Sequence, residues 1–223
     1  MPTADHTLSQ TNEDYLKVIW EFSEWSGAPI TPGHLAERMG LTRSTVSEGV
    51  RRLTDLGLVE HERYGTVALT PEGERTAVRM VRCHRILETF LVSYLGYDWD
   101  EVHEEAEVLE HAVSARMIER LDARLNHPVR DPHGDPIPRA DGTIPALEAR
   151  PLSEVPAGHT VTVRRVNDDN PELLRYLATI GLHLDSTLTV LDRVEVAGTM
   201  RLLLGDRQLD IGIPAARGIL VAD

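Results

Sequence analysis

The chain has 223 residues, of which 41% are hydrophobic, and its formal net charge at pH 7 is −13. This composition supports the core of one large domain or of two to three small ones. No apolar run approaches the roughly 18 residues of a membrane helix, and the start MPTADHTLSQ lacks the layout of a signal peptide. The single cysteine, Cys83, excludes a disulfide framework and a thiolate zinc ribbon. We therefore expect a soluble, cytoplasmic protein without a membrane partner.

The acidic charge argues against a generic nucleic-acid-binding protein, because affinity for phosphate groups comes mainly from Lys and Arg. The acids are densest in the middle of the chain, around the segment DWDEVHEEAEVLEHAV at 98–113. Any interaction with DNA has to be reconciled with this acidic centre.

Three helices are predicted in the N-terminal part by apolar spacing and by capping residues. The first lies in 11–26, with Thr11 or Asn12 as the N-cap, and the second in 30–40, with Thr31 as the N-cap and Gly40 as the terminator. The third lies in 41–59, where it begins at Thr42 or Ser44 and ends at Gly57. The tight turn between the second and the third helix predicts a helix-turn-helix, whose second helix can enter the major groove of DNA.

A β-hairpin is predicted over 58–73, turned around Arg63, and it completes a winged helix-turn-helix. Helix-turn-helix geometry alone is equally consistent with a structural corner of an all-helical domain. Together with the wing, the polar face of the third helix favours DNA binding, through contacts to phosphates and base edges. The residues predicted to contact DNA are Thr42, Arg43, Ser44, Thr45, Ser47, Glu48, Arg51, Arg52 and, in the wing, Arg63.

The rest of the chain predicts a helical region, a linker and a small β-barrel. Helices are predicted over 71–96 and 100–125, and the second has more apolar positions than one partner helix covers, which predicts a dimer interface. The proline-rich segment 127–150 predicts an extended linker. Five short strands between 159 and 223, interrupted by a helix at 170–181, predict the barrel.

Histidines and carboxylates recur at one-turn spacing in the helical region. The set consists of Asp14 on the first helix of the chain, His84 and Glu88 on the helix over 71–96, and His103, Glu107, Glu110 and His111 on the helix that follows. The last four fall within an arc of about 100°, so their side chains point to one side.

A single His–Glu pair or acidic run is usually a solvated helix face. Here Glu107, Glu110 and His111 border apolar positions, and clustered acids that are half-buried require a cation. Sets of oxygen and imidazole ligands suit manganese, ferrous iron or zinc.

These features together resemble the diphtheria-toxin-repressor family of metal-dependent repressors. The resemblance rests on the winged helix-turn-helix, the motifs H-x-x-x-E and H-x-x-x-E-x-x-E-H on successive helices, the proline-rich linker and the barrel, and it covers essentially the whole chain. The barrel also resembles the domain of small ferrous-transport accessory proteins. The resemblance implies a mainly α, α+β multidomain chain with a winged helix-turn-helix domain at 1–74, a helical metal-binding and dimerisation domain at 75–126, a linker at 127–150 and an SH3-like, FeoA-like β-barrel at 151–223.

The resemblance also implies two metal sites. The primary site would comprise Asp14, Glu107, Glu110 and His111, and the ancillary site His84, Glu88 and His103, with Asp168, Asp169 or Glu172 as a ligand from the barrel. Carboxylates stand at Asp14 and Glu107, where iron-responsive members carry Met and Cys, which implies Mn²⁺, with Fe²⁺ as the second possibility. Lys17 replaces an acid of the small two-domain regulators, which implies two separate sites rather than a tight binuclear cluster.

The implied function is a manganese-dependent repressor that binds a palindromic operator as a metal-activated homodimer and controls metal-uptake genes. The alternatives are an iron-dependent regulator of the same family and a metal-independent repressor that senses a small ligand in the barrel. A metal-dependent hydrolase using Glu107 or Glu110 as a base is a third, but the chain has no HExxH motif, nucleophile elbow or glycine-rich phosphate loop. We therefore expect no enzyme activity and no small organic substrate.

Overall fold

The computed structural model describes residues 8–61 and 65–223. Contacts divide these residues into two units. The first unit consists of the described residues up to Cys83 together with 138–143, and the second consists of 84–137 and 144–223. No helix in the described ranges is both long enough and apolar enough to cross a membrane.

Three helices open the first unit, α1 (Gln10–Ser26), α2 (Pro32–Arg38) and α3 (Arg43–Asp55). The last two begin after Thr31 and Thr42, whose side-chain oxygens accept hydrogen bonds from backbone N–H groups of the first turn. Such caps satisfy donors that the helix itself leaves unpaired. The predicted helix-turn-helix is therefore present, and its second helix is capped by Thr42, one of the two predicted starts.

The cap of α1 differs from the prediction. Ser9 caps this helix by accepting a hydrogen bond from Asn12 N, so neither Thr11 nor Asn12 is the N-cap. The side chain of Asn12 is instead buried, and its Oδ1 accepts a hydrogen bond of 3.0 Å from Arg52 Nε. Asn12 therefore ties α3 to α1.

The predicted wing is present as strands β1 (Val59–His61) and β2 (Val67–Leu69), which pair antiparallel. Residues 62–64 of its turn, including Arg63, lie outside the described residues. The core of the unit is built from apolar side chains of the three helices, the hairpin and the next helix, among them Leu16, Ile19, Leu35, Val50, Leu53, Val67 and Val81.

The helical region contains three helices and a π-helical turn. Helix α4 (Pro71–Phe90) continues into the π-helical turn Leu91–Leu95. The single helix expected over 100–125 is wrong, because the chain forms α5 (Val102–Glu110) and α6 (Ala115–Arg124). Ser114 caps α6, because its side-chain oxygen accepts a hydrogen bond from Met117 N. This bond stabilises the start of a new helix, so the chain does not continue α5 through this point.

The proline-rich segment between α6 and the first strand of the β-domain forms no helix and no strand of the sheet. Part of it is nevertheless packed into the protein. Every residue of 131–137 is buried or half-buried. The guanidinium of Arg85 donates to the carbonyl oxygen of Pro136 at 2.7 Å and to Asp135 Oδ1 at 3.1 Å. Arg165 also donates to Asp135 Oδ1. A buried cluster of charges therefore holds residues 131–137 against the rest of the second unit.

The C-terminal β-domain, residues 150–223, contains a six-stranded antiparallel sheet of order β3-β8-β4-β5-β6-β7. Its elements are β3 (Arg150–Pro151), β4 (Thr160–Val166), α7 (Pro171–Ile180), β5 (Thr187–Val194), β6 (Thr199–Leu204), β7 (Arg207–Gly212), α8 (Ile213–Arg217) and β8 (Ile219–Ala222). The five predicted strands and the predicted helix are confirmed, whereas β3 and α8 were not predicted. Alternate strand residues such as Val161, Val163 and Leu202 face the core with Leu174 and Leu177 of α7.

The contact between α1 and α3 makes a specific prediction about Gly49. A Cβ atom at this position would lie 2.6 Å from Cζ of the buried Tyr15 ring. Gly49→Ala should therefore lower the free energy of unfolding by about 1–3 kcal/mol, because overpacking outweighs the better helix propensity of Ala. Chemical denaturation measures this change.

Gly33 in α2 is the matched control, since a Cβ there would meet no atom closer than 3.8 Å. Gly33→Ala should be neutral or stabilise the protein by up to about 1 kcal/mol. Equal stability of the two variants would show that Tyr15 moves aside freely.

Candidate metal centre

Histidine and carboxylate side chains from four parts of the second unit gather in one place. They are His84 and Glu88 on α4, His103, Glu107 and Glu110 on α5, Asp131 and His133 in the proline-rich segment, and Asp168 just before α7. Glu88 and His133 have no exposed surface, and His84 and Glu110 are also buried. Buried ionisable groups at this density are a mark of a functional site.

The three residues of the predicted ancillary group lie together. His84 and Glu88 are one turn apart on α4, and His84 Nε2 lies 3.0 Å from Glu88 Oε1. His103 comes from α5, with its Nδ1 3.2 Å from His84 Nε2 and 3.4 Å from Glu88 Oε1. One ligand atom from each residue fits within 4.8 Å of the others, which is the spacing that a single cation requires.

Of the three acids proposed from the barrel, Asp168 faces this group. Its Oδ2 lies 3.3 Å from His103 Nδ1. The side chain of Asp169 accepts a hydrogen bond from Asn167 Nδ2, and Glu172 is exposed in the first turn of α7. The β-domain therefore contributes one carboxylate to the cluster from the segment that precedes α7.

Two residues that the sequence analysis did not identify, Asp131 and His133, form a further potential ligand group with Glu88. His133 Nδ1 lies 3.8 Å from both Glu88 Oε2 and Asp168 Oδ2. His133 Nε2 lies 2.6 Å from the carbonyl oxygen of Trp99 and must donate to it, so Nδ1 is the nitrogen that could bind a cation once its own proton is displaced. The signal available in the sequence was a histidine between turn-forming residues in DPHGDP.

The backbone around His133 is adapted to this position. Asp131 Oδ1 accepts hydrogen bonds from the backbone N–H groups of His133 and Asp135 at 2.8 and 2.9 Å. Gly134 has a φ of +92°, and a Cβ there would collide with the carbonyl oxygen of Arg164. The turn thus requires glycine and directs the His133 ring inward.

Two atoms of this cluster lack hydrogen-bond partners although they are buried, Glu88 Oε2 and His133 Nδ1. A buried polar atom without a partner costs free energy and is uncommon in folded proteins. Both atoms are ligands of the types that divalent cations take, and they face each other across 3.8 Å. The residues therefore fit a bound divalent cation.

Part of the negative charge in the cluster is paired with imidazole rings. Burial would raise the pKa of Glu88, but His84, His103 and His133 outweigh burial and hold this pKa well below its ordinary value. Burial likewise opposes the charged forms of His103 and His133, yet Asp168 and Glu88 raise the pKa of His103 to about 11, and Glu88, Asp131 and Asp168 raise that of His133 to about 10. Protons on the imidazoles therefore occupy the place of a cation at neutral pH.

The side chains predicted for the primary site are arranged next to His84. Glu110 Oε2 lies 2.5 Å from His84 Nδ1, and its Oε1 lies 3.8 Å from Nε2 of His111, which ends α5. Glu107 is partly exposed, with Oε1 3.9 Å from His84 Nδ1. Asp14 is half-buried on α1 in the first unit, and its part in a metal site stays a prediction.

The predicted DNA-contact residues of α3 and its cap are exposed, whereas Val46, Gly49, Val50 and Leu53 on the opposite face are buried. Several also make local hydrogen bonds: the hydroxyl of Thr42 contacts those of Ser44 and Thr45, and Ser47 Oγ donates to the carbonyl oxygen of Arg43. Thr42 caps the helix, and Arg52 Nε binds Asn12.

Comparison with known proteins places these features in one family. Residues 7–67 match the model "Iron dependent repressor, N-terminal DNA binding domain", 70–139 match "Iron dependent repressor, metal binding and dimerisation domain", and 150–223 match the FeoA domain. The iron-dependent repressor IdeR of Mycobacterium leprae is 32% identical over 195 residues, which are 82% of this chain and 84% of that protein. The chain belongs to the diphtheria-toxin-repressor family.

Solved structures agree with this family assignment. A manganese-dependent transcriptional repressor in complex with manganese is 53% identical, with a TM-score of 0.91 over 95% of this chain and 99% of that chain. The structure of ScaR with bound Zn²⁺ is 33% identical, with a TM-score of 0.82 over 95% of this chain and 98% of that one. As a member of the diphtheria-toxin-repressor family, the protein is a metal-dependent transcriptional repressor and not an enzyme, so the hydrolase alternative is excluded.

Cation binding to this family member should depend on pH. At neutral pH the imidazoles of His103 and His133 carry protons, which a cation must displace because an imidazolium has no lone pair. The affinity for Mn²⁺ should therefore rise from about pH 6 to about pH 8, with release of protons. Calorimetry in buffers of different ionisation enthalpy measures both quantities, and a constant affinity without proton release would contradict the proposed displacement.

Replacing His133 tests the ligand group that the sequence did not reveal. His133→Ala should weaken Mn²⁺ binding beside Glu88 by about tenfold or more, because Glu88 Oε2 loses the nitrogen that faces it. His127→Ala is the matched control in the same segment, since His127 is exposed and pairs with Asp122 at 2.8 Å. If calorimetry gives the same stoichiometry and affinity for both variants, His133 is not a ligand.

Proposed function

We propose that this repressor is activated by Mn²⁺, binds a palindromic operator as a homodimer and controls metal-uptake genes. The observation that carries the metal assignment is the donor set. Glu88 Oε2 and His133 Nδ1 face each other as buried atoms without hydrogen-bond partners, with Asp168 beside them. These donors are oxygen and nitrogen atoms only, which suit a hard divalent cation.

The second group of donors has the same character. Glu107, Glu110 and His111 supply carboxylates and imidazole, and the sequence resemblance leads us to propose Asp14 as their fourth member. Mn²⁺ is among the weakest binders of the first-row divalent ions at any given site, so it relies on hard ligands and on its availability in the cell. The absence of a sulfur ligand from the proposed set removes the donor that would most favour softer ions.

An iron-activated repressor of the same family is the second candidate. The curated relative from Mycobacterium leprae is named an iron-dependent repressor, whereas the solved structure with 53% identity is named a manganese-dependent one. Both metals accept oxygen and imidazole ligands, so the experiment must compare them directly.

The proposed dimer rests on the helical region. The family model for this region includes dimerisation. Within the second unit, Val108 on α5 and Met117 on α6 have 72% and 46% of their surfaces exposed, and Leu95 has 60%. Large apolar side chains on neighbouring segments indicate a surface that a second copy covers. Two recognition helices related by a twofold axis then read a palindromic site.

The proposed contacts to DNA come from the exposed face of α3, where Arg43 and Arg51 supply positive charge and Thr45 and Ser47 supply hydroxyl groups. Arginine and hydroxyl side chains bind phosphates and base edges. A repressor acts on the chromosome, so we place the protein in the cytoplasm. The cations reduce the negative charge of the second unit and so lower the repulsion of DNA.

The test is fluorescence anisotropy of a labelled DNA fragment from upstream of a manganese-transporter gene. Metal-free protein should bind tightly with Mn²⁺, and EDTA should abolish binding. Asp14→Ala and Glu110→Gln should each weaken Mn²⁺-dependent binding by about tenfold or more, since each removes a proposed ligand. Glu104→Gln is the matched control, because Glu104 lies exposed on the same helix as Glu110.

The outcomes separate the candidates. Activation by anaerobic Fe²⁺ at free concentrations where Mn²⁺ has no effect would establish the iron-activated repressor instead. Equal binding in EDTA and in Mn²⁺ would mean that the carboxylates are structural and that another effector controls the protein.

A further inference from the structure

Helix α3 exposes an acidic side chain in the middle of the face that is predicted to contact DNA. Glu48 follows Ser44 by four residues and precedes Arg51 by three, so these three side chains lie on one side of the helix. All three are exposed. The opposite side of the helix carries the buried residues Val46, Gly49, Val50 and Leu53. A carboxylate on this exposed face requires an explanation, because the phosphate groups of DNA are negatively charged and repel it.

Local bonds hold most of the hydroxyl groups of this face. The hydroxyl of Thr42 lies 2.9 Å from that of Ser44 and 2.8 Å from that of Thr45. Ser47 Oγ donates its proton to the carbonyl oxygen of Arg43 at 2.8 Å. A hydroxyl group has a single proton to donate, so these side chains have little left to offer as donors to a base edge.

The charged groups of the face are held to different degrees. Arg52 is oriented by the first helix, because its Nε donates to Asn12 Oδ1 at 3.0 Å. Within the part of the chain that the structure describes, Glu48 and Arg51 make neither a hydrogen bond nor an ion pair, although they are one turn apart. The carboxylate of Glu48 is therefore available to accept a hydrogen bond from a group outside the protein.

The chemistry of a carboxylate limits which base edge it can contact. A carboxylate accepts hydrogen bonds and donates none. In the major groove the donors on base edges are N4 of cytosine and N6 of adenine, whereas N7 and O6 of guanine and O4 of thymine are acceptors. Adenine also presents the acceptor N7 beside N6, which repels the second carboxylate oxygen. Cytosine presents no such acceptor, so it is the base that suits Glu48 best.

We propose that Glu48 is a specificity-determining residue that accepts a hydrogen bond from one cytosine in each half of the operator. This inference deepens the proposed function and rests on it, because it requires the exposed face of α3 to enter the major groove. The negative charge then contributes to specificity, since a carboxylate that meets guanine or thymine is left without a donor and is repelled. A glutamine at this position would instead pair with adenine through N6 and N7.

Selection from a library of random DNA duplexes by the full-length protein tests the base preference. The selection is carried out in parallel with Mn²⁺, with anaerobic Fe²⁺ and with EDTA. The wild-type protein should enrich cytosine at one position of each half-site, and Glu48→Gln should enrich adenine at that position. Glu48→Ala should select the same remaining sequence with no strong preference there.

Fluorescence anisotropy with the selected duplex measures the size of the effect. Replacing the C·G pair at that position by each other pair should weaken wild-type binding by about 5–100-fold, the usual range for one mismatched pair. The same replacements should change the binding of Glu48→Ala by less than about threefold, below that range.

Asp55→Asn is the matched control for the loss of one negative charge. Asp55 is exposed and is the last residue of α3, two turns beyond Glu48. A recognition helix contacts base edges through its N-terminal residues, so this variant should keep the base preference of the wild type. A general electrostatic effect would change both variants alike, whereas a base contact changes only Glu48→Gln.

The results distinguish the inference from the proposed function. If the wild-type protein, Glu48→Gln and Glu48→Ala select the same base at every position, or if the base that depends on Glu48 is not cytosine, the inference is wrong. If the wild-type protein selects a sequence only with Fe²⁺, or equally well in EDTA, activation by Mn²⁺ is wrong, and the role of Glu48 is judged from the same libraries. If it selects no sequence under any of the three conditions, both are wrong.

Discussion

The second unit depends on the burial of one carboxylate, Glu88, among three imidazole rings. Glu88 has no exposed surface, and an ionised carboxylate is not stable in a protein interior without partners. His84, His103 and His133 surround it from α4, α5 and the proline-rich segment and hold its pKa well below the ordinary value. In the metal-free protein the protonated rings of His103 and His133 pair with this carboxylate, and a divalent cation could take their place without leaving the buried charge unpaired. The fold is therefore compatible with both the metal-free and the metal-bound protein.

A second buried cluster keeps this arrangement together. Asp135 accepts hydrogen bonds from Arg85 of α4 and from Arg165 of β4, so a helix and the β-domain share one carboxylate. Buried ion pairs add little net stability, but removing one partner is costly, so they fix the chain path. The path fixed here is that of the segment carrying His133, whose turn is closed by Asp131. The position of a ligand in an irregular segment is thus set by charges that are distant in sequence.

This dependence explains which parts of the site the sequence could predict. His84 and Glu88 are one helical turn apart, so their shared direction follows from helix geometry alone. His133 lies in a segment without periodicity, and its burial depends on the pairing of the nearby Asp135 with Arg85 and Arg165, which no local pattern reveals. A different reason applies to Ser114, whose capping signal is local but is hidden by apolar spacing that continues through the break after α5. Most of the fold was predictable because caps and strand alternation are local signals.

The acidic composition and the proposed DNA binding are reconciled by this distribution of charge. The exposed residues of α3 belong to the first unit, and the buried carboxylates belong to the second. Moving a protein from almost wholly inactive to almost wholly active requires a differential binding free energy of about 5.5 kcal/mol. On the proposed function, two cations per protomer supply this more readily than one. Two separate ligand groups therefore suit a sharp response to metal concentration.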